Sequence, residues 1–352
     1  MVGSKQDFGA AQAGLQGGDT VLTTSPPAVT NDEAAQIAAR YFGGVGPCDP
    51  LTGERDRNFR GSRPDGSKFT LKFINPAETV AETVMQIAVL KHLEPRSPMP
   101  VPRHLAPALA HGQDWLDWPA ADGEVIRVRA YSYLEGTAGS RLRADESAWR
   151  AVGQAAGQLD LALLGFDHPA ARRDFLWDSC RAPRLLPWLD VITDAQQRLA
   201  INDFLTRFES RLARYRAELP CQVIHNDLSP SNILLDPEGG TVTGVLDFGD
   251  MVHAPRIAEA AIAASYHMTD ATDPLHTLAC LLDGFDSVAP LSALEREQAL
   301  DLVLARLTQR MVITARRALQ FPSNRAYILR SQAAASQLFD RLIEPWQRHA
   351  AF

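Results

Sequence analysis

Long apolar runs are missing from this chain: no stretch approaches the roughly 20 consecutive apolar residues that a membrane-spanning helix needs. Nor does the N-terminal segment carry the apolar core of a signal peptide. Neither a membrane nor an exported location is expected. Cysteine is scarce, and Cys48, Cys180, Cys221 and Cys280 lie far apart with no metal-binding or disulfide spacing. That usage suits a reducing cytoplasm and marks them as packing residues. Positive charge is not in excess either. A formal net charge of -7 gives no basic footprint for nucleic acid or anionic lipid, so a small molecule or a protein is the expected partner.

What is present is ordinary for a soluble globular enzyme, with 45% hydrophobic and 22% charged residues in 352. That length exceeds what one hydrophobic core usually supports. Two lobes with a ligand cleft between them are expected.

The densest chemistry lies between Val223 and Asp250, VIHNDLSPSNILLDPEGGTVTGVLDFGD. His225, Asp227 and Asn232 fit the His-x-Asp-x-x-x-x-Asn catalytic loop of kinases, and Asp247-Phe248-Gly249 follows as a metal-binding Asp-Phe-Gly. Phosphoryl transfer needs charge neutralisation and in-line placement more than covalent help. On this pattern Asp227 takes the proton of the acceptor hydroxyl, and Asn232 and Asp247 hold Mg²⁺, a hard cation that prefers oxygen ligands. Strands over 232–236 and 241–246, joined by a turn at Pro237–Gly240, bring Asp247 back beside Asn232. A purely structural hairpin has no need for Asp and Asn at both ends.

Upstream, residues 1–28 lack periodicity and read as a disordered tail. Thr30 and Glu33 are spaced as a capping box, starting a helix that stops near Phe42. The segment from Pro50 to Phe73 reads as strand, turn, strand. Within it Phe69, Leu71 and Phe73 share one face, and Lys68, Thr70 and Lys72 the other. Ahead of a kinase-like loop, Lys72 is the expected phosphate-binding lysine. No Gly-x-Gly-x-x-Gly precedes it; the tip between the first two strands offers Gly53, Arg55, Asp56 and Asn58 to cradle phosphates instead. A helix over Pro76–Leu93 puts Gln86 where kinases carry the glutamate that pairs with this lysine. Glu82 or Glu78, one and two turns earlier, are the alternatives. After a proline-rich connection over Arg96–Pro102, a strand over Glu124–Tyr133 leads to Ser132–Leu134, the hinge whose main chain would bind the base of ATP or GTP.

Beyond Asp145 the chain reads as helical, over 145–164, 193–218, 255–268, 274–282, 292–319 and 324–349. Between the first two lies His168–Asp178, where Trp177 reads as a pocket wall and Asp178 as a partner for a substrate amine, or the aromatics as anchors of a long connection. Only about five residues separate Gly249 from the helix near Pro255, too few for the activation segment on which polypeptide substrates lie. A small acceptor is implied.

The Asp227 loop, the Asp247 motif with Asp250, and the Ala/Glu-rich helix after it resemble the aminoglycoside phosphotransferase (choline kinase-like) superfamily. More narrowly, Glu54–Phe59, Arg173–Trp177, Leu246–Met251 and Gly284–Leu291 resemble the hydroxylysine kinase family. The resemblance implies an α+β, protein kinase-like two-lobe fold. A small N-lobe over 29–134, with antiparallel sheet and helix, would bind nucleotide; a large helical C-lobe over 135–352 would carry the catalytic loop and acceptor site. It also implies a phosphotransferase acting on an alcohol group, 5-hydroxylysine as acceptor, GTP as favoured donor, Asp227 as base, Asn232 and Asp247 as metal ligands, and Lys72 on the phosphates. Asn226 and Ser229 depart from the Gly and His usual in the superfamily loop. An amine-bearing acceptor would want Asp250, Asp178 or Glu259, and a carboxylate on it Arg55, Arg173 or Arg256. Homoserine, choline, ethanolamine and an aminoglycoside stay open as acceptors. So does a non-catalytic nucleotide-binding protein of this fold, given the absent helix glutamate and glycine loop.

Overall fold

The computed structural model describes residues 24–53, 55–108, 112–120 and 123–349. Most of the expected tail, and Glu54, lie outside the described residues. Thr24 and Ser25, at the end of that tail, accept hydrogen bonds from the Asn75 amide at 3.2 and 3.4 Å.

Helix α1, Asn31–Tyr41, starts where its capping box predicts: Thr30 caps the Glu33 N–H and Glu33 returns the bond to Thr30. Strands β1 (Val45–Leu51), β2 (Arg57–Ser62) and β3 (Lys68–Phe73) then form an antiparallel sheet that continues through β6 (Val125–Ser132) to β4 (His104–Leu105). Strand β5 (Leu116–Pro119), which the sequence did not betray, also pairs with β6. Phe69, Leu71 and Phe73 pack with Ile37, Phe42, Phe59 and Val128 into the small lobe's own core. Its packing needs Gly61, because a Cβ there would lie 2.4 Å from the Phe69 ring. The opposite face of β3 is buried too, since Thr70 and Lys72 look into the cleft.

Helix α2 covers Val80–Leu93, four residues shorter than expected, because Thr79 and Glu82 make a second capping box that fixes the start. Its buried Met85, Val89, Leu90 and Leu93 join the large core of the C-terminal region.

That region is mostly helical: α3 (Glu146–Ala162), 3₁₀ segments at Pro169–Arg172 and Ser179–Val191, α4 (Ala195–Glu218), α5 (Ile257–His267), α6 (Pro274–Asp286), α7 (Ala293–Gln320), α8 (Arg325–Ile328) and α9 (Gln332–His349). Helices α3 and α6 approach main chain to main chain at two glycines. A Cβ on Gly153 would lie 1.9 Å from the Leu281 carbonyl, and one on Gly284 2.1 Å from that of Arg150. The single helix expected over 324–349 is broken into α8 and α9, and the turn between them sets Arg330 at the cleft. Two small sheets frame the motif region. Strand β9 (Ile233–Leu235) pairs with β10 (Val242–Val245) and with β7 (Thr137–Ala138), and β8 (Cys221–Ile224) pairs with β11 (Val252–Pro255). Among the described residues, no helix is long and apolar enough to cross a membrane.

Candidate active site

The loop between β8 and β9 is held from below. Glu259, fully buried on α5, accepts the main-chain N–H of His225 at 2.6 Å and of Asn226 at 3.2 Å. The His225 ring bonds the Leu246 carbonyl at 2.8 Å and packs edge-on against Phe248. His225 therefore ties the Asp227 loop to the Asp247 segment. Asn226 sits at φ +68°, in the left-handed region that glycine and asparagine tolerate best. Its side-chain amide donates to the carbonyls of Asp250 at 2.9 Å and Trp177 at 3.2 Å, bonds that a glycine could not make.

Asp227 projects from this loop with one carboxylate oxygen 2.6 Å from the Asn232 amide nitrogen. Burial, with Asp250 adding to it, raises its pKa to about 6 against the opposing pull of Arg306. Asp247 follows β10 at φ +56°, a strained setting for a residue with a Cβ. Lys72, 4% exposed, places its Nζ 2.7 Å from Asp56 and 3.7 Å from Asp247. Lys72 lowers the Asp247 pKa further than burial raises it. Burial in turn opposes the charge on Lys72, but Asp247 and Asp56 outweigh it and raise its pKa. These settings suit a divalent cation: Asn232 turns its nitrogen to Asp227 and leaves its amide oxygen available, and Asp247 is kept anionic.

The partner of Lys72 corrects the expectation for α2. Gln86 accepts from Arg129, the cross-strand neighbour of Lys72, and donates to Glu78 at 3.0 Å. Glu82 ion-pairs with Arg173. None of the three meets the lysine. Asp56 does, from the β1–β2 loop, with its other oxygen fixed by the Asn75 N–H at 2.8 Å.

Two cavities meet at Asp227. One, of about 430 Å³, is lined by Asp56, Asn58, Ser132, Leu134, Asn232 and Asp247. Ser132 exchanges hydrogen bonds with Arg103, so its N–H is committed, which leaves Leu134 of the two residues expected to meet a base. The other cavity, of about 550 Å³, is lined by Trp177, Asp250, Tyr266, Arg306 and Arg310. Arg55, Asp227, Ser231 and Arg330 line both.

Several expected acceptor residues are otherwise engaged. Asp178 is buried and caps the following 3₁₀ segment by accepting the Cys180 N–H at 2.9 Å, so it does not wait for a substrate amine. Glu259 lies under the loop instead of facing the cavity. Asp250 lines the cavity but already pairs with Arg55 at 2.5 Å. Arg173 pairs with Glu82, and Arg256 with Glu295 at 2.7 Å. The cavity's own cations, Arg306 and Arg310, come from mid-α7. Their signal in the sequence is an arginine pair at i and i+4 inside a stretch, Leu302–Ile313, that is buried on every side.

Cys48, Cys180 and Cys280 are buried, as expected of packing residues, and Cys221 is exposed. Cys280 Sγ lies 3.7 Å from His276 Nε2, which lies 2.9 Å from Glu146, a cluster away from the cleft with no link to it.

A family model described as the phosphotransferase enzyme family matches residues 50–301. A hydroxylysine kinase from Mus musculus is 27% identical over 346 residues, covering 90% of this chain and 91% of that protein. Among solved structures, a microcompartment-associated aminopropanol kinase superposes with a TM-score of 0.70 at 16% identity, covering 89% of this chain and 97% of its own. Amicoumacin kinase in complex with AMP-PNP, Ca²⁺ and Ami superposes with a TM-score of 0.65 at 14% identity, covering 90% and 92% of the two chains.

Proposed function

Because this chain belongs to the phosphotransferase enzyme family, a family of small-molecule kinases, we propose that it moves the γ-phosphate of ATP or GTP to the hydroxyl of 5-hydroxylysine. The observation that carries the reading is the position of Asp227, on the wall shared by the two cavities. A nucleotide in the cavity beside Leu134 would direct its phosphates toward Lys72 and Asp247. An acceptor in the cavity beside Trp177 would direct its hydroxyl to Asp227. The similarity to a hydroxylysine kinase over nine-tenths of the chain supports the acceptor.

In this mechanism Asp227 orients the acceptor hydroxyl and takes its proton as the oxygen attacks. Asn232 fixes the carboxylate rotamer through its 2.6 Å bond. Lys72, held by Asp56, neutralises phosphate charge. A Mg²⁺ ion on Asn232 and Asp247 would supply further neutralisation across the phosphates; the neighbour complexed with AMP-PNP and Ca²⁺ supports a nucleotide and a divalent cation. Residues 29–134 would serve the nucleotide and 135–352 the acceptor, in a cytoplasmic protein. Since Asp56 supplies the carboxylate partner that α2 lacks, the absent helix glutamate does not favour a non-catalytic protein.

The test is product formation with Mg²⁺ across hydroxylated amines, ATP and GTP side by side, with phosphorylated product identified by mass. Phospho-5-hydroxylysine is expected from the wild type, with turnover lowered at least about 100-fold in Asp227→Asn, as loss of a general base implies. Normal turnover by Asp227→Asn would sink the assignment of the base.

A further inference from the structure

We propose that Arg310, backed by Arg306, reads a carboxylate on the acceptor, so that the cavity selects a hydroxylated amino acid over an amino alcohol or a polyamine antibiotic. The inference rests on the proposed kinase reading and adds the group that distinguishes its acceptors.

The wall of the acceptor cavity carries the arginines Arg55, Arg306, Arg310, Arg317 and Arg330 against the aspartates Asp227, Asp250 and Asp270. Arg55 and Asp250 neutralise each other in an ion pair. With Arg317 left out of the balance, Arg306, Arg310 and Arg330 still outnumber Asp227 and Asp270, so the charge left to a ligand is positive. A site built for an acceptor bearing only ammonium groups would have the opposite sign, because a desolvated cation needs carboxylates around it.

Burial sharpens the point. Arg306 and Arg310 are 1% and 4% exposed, and guanidinium groups so deep are ordinarily paired with carboxylates. Neither makes an ion pair among the described residues. Arg306 donates to the carbonyls of Trp177 and Asn226 and stacks over the Trp177 ring at 5.4 Å. Its hydrogen bonds hold the catalytic loop. Arg310 donates one nitrogen to the Ser265 carbonyl and lies over the Tyr266 ring at 4.1 Å, which orients the planar fork. A fork fixed at one end and lining a cavity is the group that binds carboxylate in two parallel hydrogen bonds. With the carboxylate there and the hydroxyl at Asp227, exposed Asp270 on the same wall is left for an ammonium.

The experiment compares acceptors in pairs on the full-length enzyme: 5-hydroxylysine, homoserine and threonine, each against its decarboxylated analogue. For any pair that turns over, kcat/KM is expected to fall by about 10-fold or more on removing the carboxylate, the size of one charge-assisted hydrogen bond. Arg310→Ala is expected to erase that preference by raising KM for the amino acid while leaving KM for nucleotide in place, and Arg310→Lys to keep part of it. Equal or better use of the decarboxylated analogues by the wild type would overturn the proposal without any variant having to fold. Turnover of homoserine or threonine but not hydroxylysine would reject the proposed acceptor and leave the carboxylate comparison to decide this inference. If no acceptor turns over, thermal stabilisation of the AMP-PNP-loaded protein by the same pairs decides. Stabilisation only by the carboxylate-bearing members supports the proposal, and its absence overturns it.

Discussion

At position 226 the backbone is left-handed, and asparagine meets that demand while its amide reaches the carbonyls of Trp177 and Asp250. The two contributions can be separated. Asn226→Gly keeps the backbone but removes the donor to the Asp250 carbonyl and one of the two donors to the Trp177 carbonyl, which Arg306 still serves. Asn226→Ala also places a Cβ in the left-handed region, which costs about 1–2 kcal/mol more. The expected order of thermal midpoints is therefore wild type, Gly, Ala; equal midpoints for Gly and Ala would show that conformation is not what selects asparagine. The neighbouring lesson is Lys72. Its place in the cleft beside Asp247 was legible from its strand and the loop downstream. Its partner was not, because Asp56 is sixteen residues away in a loop with no motif, while the expected position on α2 holds Gln86, taken by Arg129. Asp56→Ala would leave the buried ammonium with only Asp247 at 3.7 Å. A loss of about 3 kcal/mol in urea unfolding is expected from breaking a buried pair, with a raised KM for nucleotide; an unchanged KM would place the phosphates elsewhere.

The elements that local sequence writes completely were read correctly: the capping box of α1, the alternation of β3, and the hairpin of β9 and β10. Each is decided by residues within a turn or a strand of one another. What escaped depends on distant contacts. Helix α9 was joined to α8 because no glycine or proline marks the break between 323 and 344, and α7 showed a long helix without showing that its arginines face a cavity. Glu259 is the sharpest case. An acidic residue in the apolar α5 was suspected of binding substrate, and the structure assigns the same burial to a different duty, accepting two main-chain N–H groups of the Asp227 loop. Leaving a buried donor unpaired costs about 1–3 kcal/mol. Glu259→Ala is therefore expected to lower stability by at least about 2 kcal/mol and slow turnover, whereas Glu259→Gln, which keeps an acceptor oxygen, is expected to do much less. A Glu259→Ala protein as stable and active as wild type would remove the brace from this account.

On the scale of the whole molecule, the boundary expected near residue 134 does not coincide with the boundary between cores. Helix α2 belongs to the small lobe by sequence order, yet its apolar side is part of the large core. It is tied there by the His92 ring on the Ala162 carbonyl at 3.0 Å and by the buried pair of Glu82 with Arg173. Arg173 also donates to the Gly249 carbonyl at 2.8 Å, so one guanidinium joins α2 to the Asp247 segment. The two lobes should consequently unfold together, as one calorimetric transition. The pair can be isolated by a double-mutant cycle: Arg173→Met strands the Glu82 carboxylate, 3% exposed, and is expected to cost about 3 kcal/mol or more, much of it recovered when Glu82→Met is added. The pH dependence has a definite sign. Burial would raise the Glu82 pKa, but Arg173 together with the Thr79 bonds lowers it. A depressed carboxylate pKa contributes stability that is present above the unfolded value of about 4.3 and lost as pH falls through the folded value. The penalty of Arg173→Met should therefore be full at neutral pH and shrink as pH falls toward and below the unfolded value, because burial without Arg173 favours protonation of the stranded Glu82 in the variant. A penalty that does not change over that range would mean that Arg173 stabilises the fold through its carbonyl bonds and its packing on Phe175, and not through the charge of Glu82.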